Sequence, residues 1–147
     1  MSAQPDAGMT PTTFENPMGI DGFEFVEYAA PAGQSGHLHD YFRKLGFVQV
    51  ARHKTRPIHT YRQGDCTFLI NEDPDSFAAR FAAQHGPSAC GFAIRINKLA
   101  EWARVQALKN GAESFDAADE LTKAVAAPVI KGIGGCMLYL VDRYDAK

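Results

Sequence analysis

Cysteine is scarce and poorly placed for either of its structural uses. Cys66, Cys90 and Cys136 are odd in number and widely spaced, so they supply neither a disulfide framework nor the close thiolate pairs of a zinc site. Each falls within or at the edge of a predicted strand, which suits a small buried thiol. An excess of positive charge is also missing. With a net charge of -2, the chain has no basic face to offer nucleic acid or an anionic membrane. No apolar run approaches the ~20 residues of a membrane helix, and the N-terminus lacks a basic-then-apolar signal pattern. The expectation is a cytoplasmic protein with no nucleic-acid or membrane partner. A phosphate loop is absent too: the glycines at 132, 134 and 135 have the wrong spacing and lead into a strand rather than a helix.

What is present suits a single domain. A chain of 147 residues can bury a core without disulfide or metal staples. Residues 1–15, with Pro5, Pro11 and few apolar groups, read as a disordered tail. The strongest segment is Gly132 to Tyr144, where three glycines precede an apolar run typical of a strand buried on both faces. It is predicted to be the last strand of a curved sheet, paired with the first strong strand, Phe23 to Ala30.

The chain then repeats itself. Phe23–Ala30 is followed by a helix over Ser35–Leu45, with Leu38, Tyr41, Phe42 and Leu45 at helical spacing and Gly46 as its stop. Short strands follow at Phe47–Arg52, Ile58–Gln63 and Thr67–Asn71. After a helical segment at Asp75–Gln84 the order recurs. Cys90–Ile96 is a strand, and Lys98–Lys109 is an amphipathic helix with a stripe of Leu99, Trp102, Val105 and Leu108. Strands at Glu113–Phe115, Val129–Ile130 and Cys136–Asp142 complete the unit. A recurrence of roughly 65–70 residues is too long for a solenoid. It predicts an α+β fold of two βαβββ modules, 20–72 and 88–144, forming a cupped mixed sheet with helices outside.

Several phrases are specific: Asn16-Pro17-Met18-Gly19 leading into Gly22-Phe23-Glu24-Phe25, Tyr61-Arg62-Gln63-Gly64, Glu72-Asp73-Pro74-Asp75-Ser76, His85-Gly86-Pro87-Ser88, Lys131-Gly132-Ile133-Gly134-Gly135, and Tyr139-Leu140-Val141-Asp142-Arg143-Tyr144. From Asn16 onward the chain resembles the N-terminal domain of the bacterial 4-hydroxyphenylpyruvate dioxygenase family, in the vicinal oxygen chelate superfamily with glyoxalase I. That family comprises non-haem iron(II) dioxygenases of tyrosine breakdown, which form homogentisate. Its iron, held by two His and one Glu, lies in a second, C-terminal domain. The resemblance therefore implies a metal-free N-terminal-type domain with a structural or assembly role, and iron(II) in the C-terminal domain. Its implied partner is that catalytic domain, or a second copy of the chain.

Laying the sequence on the superfamily's ligand pattern puts Gly22, Gly91 and Tyr139 at the iron positions. A glycine has no ligand to give, and a neutral phenol is a poor substitute for a carboxylate. The histidines form no evident constellation. His37 and His39, two apart at a helix start, point away from each other. His53 and His59 flank the loop around Pro57 with no carboxylate near in sequence, and His85 reads as a turn residue. Strand alternation puts Glu24, Val26 and Tyr28 on the Gly22 face and Arg95 on the Gly91 face. Glu24, Arg95 and Tyr139 are thus the candidate pocket residues, and no catalytic or metal-binding residue is assigned. Two readings of the Glu24 and Arg95 pair stay open: a small pocket in which Arg95 meets a ligand carboxylate, and a structural ion pair.

Three functions remain open at this stage. The chain is the N-terminal-type domain of such a dioxygenase, a stand-alone superfamily member binding a small aromatic or keto acid as a homodimer, or a metalloenzyme with unexpected ligands.

Overall fold

A computed structural model of the chain describes residues 14–144. The expected tail lies outside these residues except for Phe14 and Glu15, as does Lys147. The elements run β1 (Ile20–Ala29), α1 (Gly36–Lys44), β2 (Val48–Arg52), β3 (Ile58–Gln63), β4 (Cys66–Asn71), α2 (Phe77–His85), β5 (Ser88–Ile96), α3 (Ala100–Lys109), α4 (Ala117–Leu121), β6 (Val129–Lys131) and β7 (Met137–Val141). All seven strands form one mixed sheet in the order β2-β3-β4-β1-β5-β7-β6. β1 runs parallel to β4 and β5 parallel to β7, so each half repeats the same crossover. The two halves meet at the antiparallel β1–β5 pair.

Three expectations need correction. β7 does not pair with β1, because β5 lies between them. Two strands that each open a module meet at the centre, and each module's last strand falls one place further out. Residues 113–115 are not a strand: their backbone link to the sheet is the hydrogen bond from the Lys131 amide to the Glu113 carbonyl, 2.8 Å, and α4 follows directly. In α3 the large apolar stripe faces outward. Ala100 and Ala103 are buried against Ile96 and Leu140, while Leu99, Trp102 and Val105 are exposed. Alanine lets the helix lie close to the sheet, and the residues beside it are then too far round the helix to reach the core.

α1 and α3 cover one face of the sheet through separate clusters. The other face is covered by Phe77, Ala78 and Ala82 of α2 and by Phe115, Ala124 and Ala127, packed on Phe25, Ala29, Met137 and Tyr139. Cys90 and Cys136 are buried, as expected, but Cys66 is exposed, next to the β3–β4 turn.

Candidate functional site

Two irregularities in the central strand pair decide what reaches the interior. On β1, Phe23 pairs with Ile94 and Phe25 with Ala93, so Glu24 is an extra residue. On β5, Gly91 pairs with Glu27 and Ala89 with Tyr28, so Cys90 is extra. A bulge reverses the alternation beyond it. Glu27, rather than Glu24, is therefore the buried acid of β1, at 1% exposure. Tyr28 turns to the α1 side and packs edge-on against Phe42 and Phe68.

Glu27 is held by two donors. The Asn71 amide donates to Oε1 at 2.7 Å and the Tyr139 hydroxyl to Oε2 at 2.7 Å. The Tyr139 oxygen in turn accepts from the Ala124 amide at 3.1 Å. Burial pushes the Glu27 carboxyl above its usual range, against the opposing pull of these hydrogen bonds and of the Arg56 charge. Burial and the adjacent carboxylate push the Tyr139 phenol up, and burial does the same to the Cys90 thiol. Cys90 is thus an inert thiol, whose Sγ lies 3.6 Å from the Glu27 carbonyl. A Cβ at Gly91 would stand 2.9 Å from Glu27 Oε2 and 2.9 Å from the Tyr139 ring. The missing side chain makes the room that the pair occupies.

Arg56 fixes the loop above this cluster. Its guanidinium donates to Asp73 at 2.5 Å and to the carbonyls of Thr122 and Lys123 at 2.7 Å each. That places the Ala124 amide over Tyr139.

Glu24 and Arg95 do meet, with Nε donating to Oε2 at 2.6 Å. They line a shallow groove with Phe23, Val26, Thr67 and Phe68, and the Tyr144 ring lies 5.3 Å from the guanidinium. Tyr139 is not in this groove but at the buried Glu27. The three sequence candidates therefore divide between two places.

Sequence reasoning missed a third place. On the α1 face, Glu72 receives two imidazoles: His39 Nε2 lies 3.2 Å from Oε1 and His59 Nε2 2.8 Å from Oε2. His39 Nδ1 is 2.7 Å from the Tyr61 hydroxyl, and His59 Nδ1 is 3.1 Å from the Gln49 amide nitrogen. Partial burial raises the Glu72 carboxyl, but the Ser35 hydroxyl and the two imidazoles more than offset it and hold it below its ordinary value. A signal was available. His39 lies one helical turn before the buried Phe42, and His59 shares its strand face with the buried Tyr61. The other histidines stand apart: His37 and His53 are exposed, and His85 packs on Phe81 with ring centres 4.3 Å apart.

The family model described as "Hydroxyphenylpyruvate dioxygenase, HPPD, N-terminal" matches residues 14–147. The chain belongs to this family. Hemolysin VllY of Vibrio vulnificus (strain CMCP6) is 47% identical over 131 residues, 88% of this chain and 36% of the relative. The 4-hydroxyphenylpyruvate dioxygenase of Pseudomonas sp. (strain P.J. 874) is 44% identical, covering 89% of this chain and 36% of the enzyme. The chain thus spans about a third of the length of the curated relatives it matches. A solved xylose isomerase-like TIM barrel/4-hydroxyphenylpyruvate dioxygenase fusion protein superposes with a TM-score of 0.75 at 27% identity, over 92% of this chain and 22% of that one. The fold is that of the glyoxalase and vicinal oxygen chelate proteins.

Of the three positions that the superfamily's ligand pattern assigns to iron, Gly91 and Tyr139 lie together, a Cβ at Gly91 standing 2.9 Å from the Tyr139 ring. Gly22 sits at a bulge with φ +90° and nothing within 4 Å of a Cβ. It is Glu27 that lies across from Gly91. Among the described residues, no helix is long and apolar enough to cross a membrane.

Proposed function

We propose that this chain serves as the non-catalytic N-terminal-type domain of a 4-hydroxyphenylpyruvate dioxygenase, in tyrosine breakdown to homogentisate, with a structural and assembly role. One observation carries the reading. Where the superfamily's ligand pattern would put an iron ligand from β5, Gly91 leaves space that Glu27 and Tyr139 close with a 2.7 Å hydrogen bond. A buried, mutually satisfied pair of this kind stabilises the interior but offers neither open coordination positions nor a path for substrate. Iron(II) chemistry then belongs to a partner catalytic domain, against which this chain packs. The exposed Tyr41 of α1, Leu45 just after it, and Val48 and Val50 of β2 are the kind of apolar surface that such packing covers.

The test is homogentisate formation from 4-hydroxyphenylpyruvate, with iron supplied, by the chain alone and by the chain fused to the C-terminal domain of the Pseudomonas relative. Turnover is expected only in the fusion; turnover by the chain alone overturns the reading. A stand-alone homodimer that binds a small aromatic or keto acid is the second reading, favoured by the Arg95–Glu24 groove. It requires saturable binding of 4-hydroxyphenylpyruvate that is lost in Arg95→Ala.

A further inference from the structure

We propose that His39, His59 and Glu72 form a binding site for one first-row divalent transition ion. The site lies on the α1 face of the sheet, whereas Gly91 and Tyr139 of the superfamily's ligand pattern lie beside the buried Glu27 on the other. The inference does not depend on the function proposed above.

The donor set is two imidazoles and one carboxylate, and their ligand atoms all lie within 4.8 Å of one another. Two ligands bound at about 2.0–2.1 Å to one ion stand about 2.8–3.4 Å apart for angles between right and tetrahedral. The observed nitrogen–oxygen separations, 3.2 Å to Oε1 and 2.8 Å to Oε2, fall in that range. An ion therefore replaces the two shared protons with only small shifts of the side chains. This set suits zinc and its first-row neighbours better than calcium or magnesium, which prefer oxygen ligands alone.

Three different elements present the ligands. His39 is on α1 and His59 on β3, and Glu72 directly follows β4 with its amide tied to the Pro57 carbonyl at 2.9 Å. The outer shell is built as well. Ligating histidines keep their orientation by bonding through the second ring nitrogen. His39 Nδ1 has the fully buried Tyr61 hydroxyl for this, and His59 Nδ1 has the Gln49 side-chain amide. Turning that amide over puts its oxygen beside His59 Nδ1, so that both rings bind through Nε2 as neutral imidazoles. The Ser35 hydroxyl bonds to the carboxylate. The side chains of His39, His59 and Glu72 are 14%, 14% and 26% exposed, leaving water access to the remaining coordination positions. A bound ion would fasten α1 to the β3–β4 hairpin.

The experiment uses the 147-residue chain freed of metal with EDTA. Calorimetric titration with Zn2+ is expected to show one ion per chain and a rise in Tm, and Co2+ is expected to give visible absorption of an imidazole-ligated centre. Glu72→Gln and His59→Gln, confirmed as folded by circular dichroism, should each weaken Zn2+ binding at least about tenfold, and Tyr61→Phe should weaken it by about tenfold through the outer shell. His37→Ala and His53→Ala should leave it unchanged. No uptake of Zn2+ or Co2+, or uptake of the same strength in Glu72→Gln and His59→Gln, would leave only a hydrogen-bonded His–Glu–His cluster and overturn the proposal. His59 and Glu72 lie on separate elements, so the two variants test the site independently.

Discussion

The two modules attach their outer helices by opposite means. α1 rests on rings: Phe42 meets Tyr28, Phe47, Tyr61 and Phe68 at centroid distances of 5.1 to 5.9 Å, and Phe47 stacks on Phe68 at 4.4 Å. α3 rests on Ala100 and Ala103, with Ile96 and Leu140 beneath. Large rings fill volume at a distance and fix one geometry, whereas small residues bring a helix close and bury less. One topology therefore yields a rigid half and a lean half. The lean half turns Leu99, Trp102 and Val105 outward, and the rigid half holds the paired imidazoles.

Truncation should expose this contrast most strongly. Phe42→Ala removes the ring shared by four partners and should cost about 3–5 kcal/mol, against about 1 kcal/mol for Ala103→Gly in α3. Urea unfolding of the two variants measures the difference, and equal losses would erase the contrast. At the seam between the modules, Gly91→Ala forces a methyl to within 2.9 Å of Glu27 Oε2 and the Tyr139 ring. It should cost about 1–3 kcal/mol by overpacking, read by the same assay. A smaller effect belongs to pH. Because burial raises the Glu27 pKa above the ordinary 4.5 of a glutamate, the folded state holds that proton more tightly than the unfolded chain. Stability from this group is greatest below pH 4.5 and falls as pH rises through the folded value. Denaturation at a series of pH values should show this decline in the parent chain and a flatter profile in Glu27→Gln.

Much of the architecture was legible from local patterns. β3 was predicted with its observed bounds, and the strand-helix-strand repeat was visible because apolar runs and helical spacing recur in order. What escaped depended on contacts distant in sequence. The bulge at Glu24 leaves no mark in composition, yet it exchanges Glu24 for Glu27 as the buried acid. In α3 apolar residues lie on several sides, so spacing selected the larger ones and missed the alanines. Of the candidate site, the Glu24–Arg95 pair was anticipated. The His39–His59–Glu72 cluster was not, because it joins a helix to two strands and its carboxylate lies 33 residues from His39 in the chain.

The guanidinium of Arg56 belongs to the first module, yet it grips the backbone at Thr122 and Lys123 in the second. The halves are therefore not interchangeable units that merely share a seam. If the polypeptide were severed between residues 72 and 88, the later fragment would lose the anchor that seats the segment above Tyr139. Recovery of native structure would then require both fragments together, since this arginine adds a backbone clamp to the β1–β5 seam and the shared core.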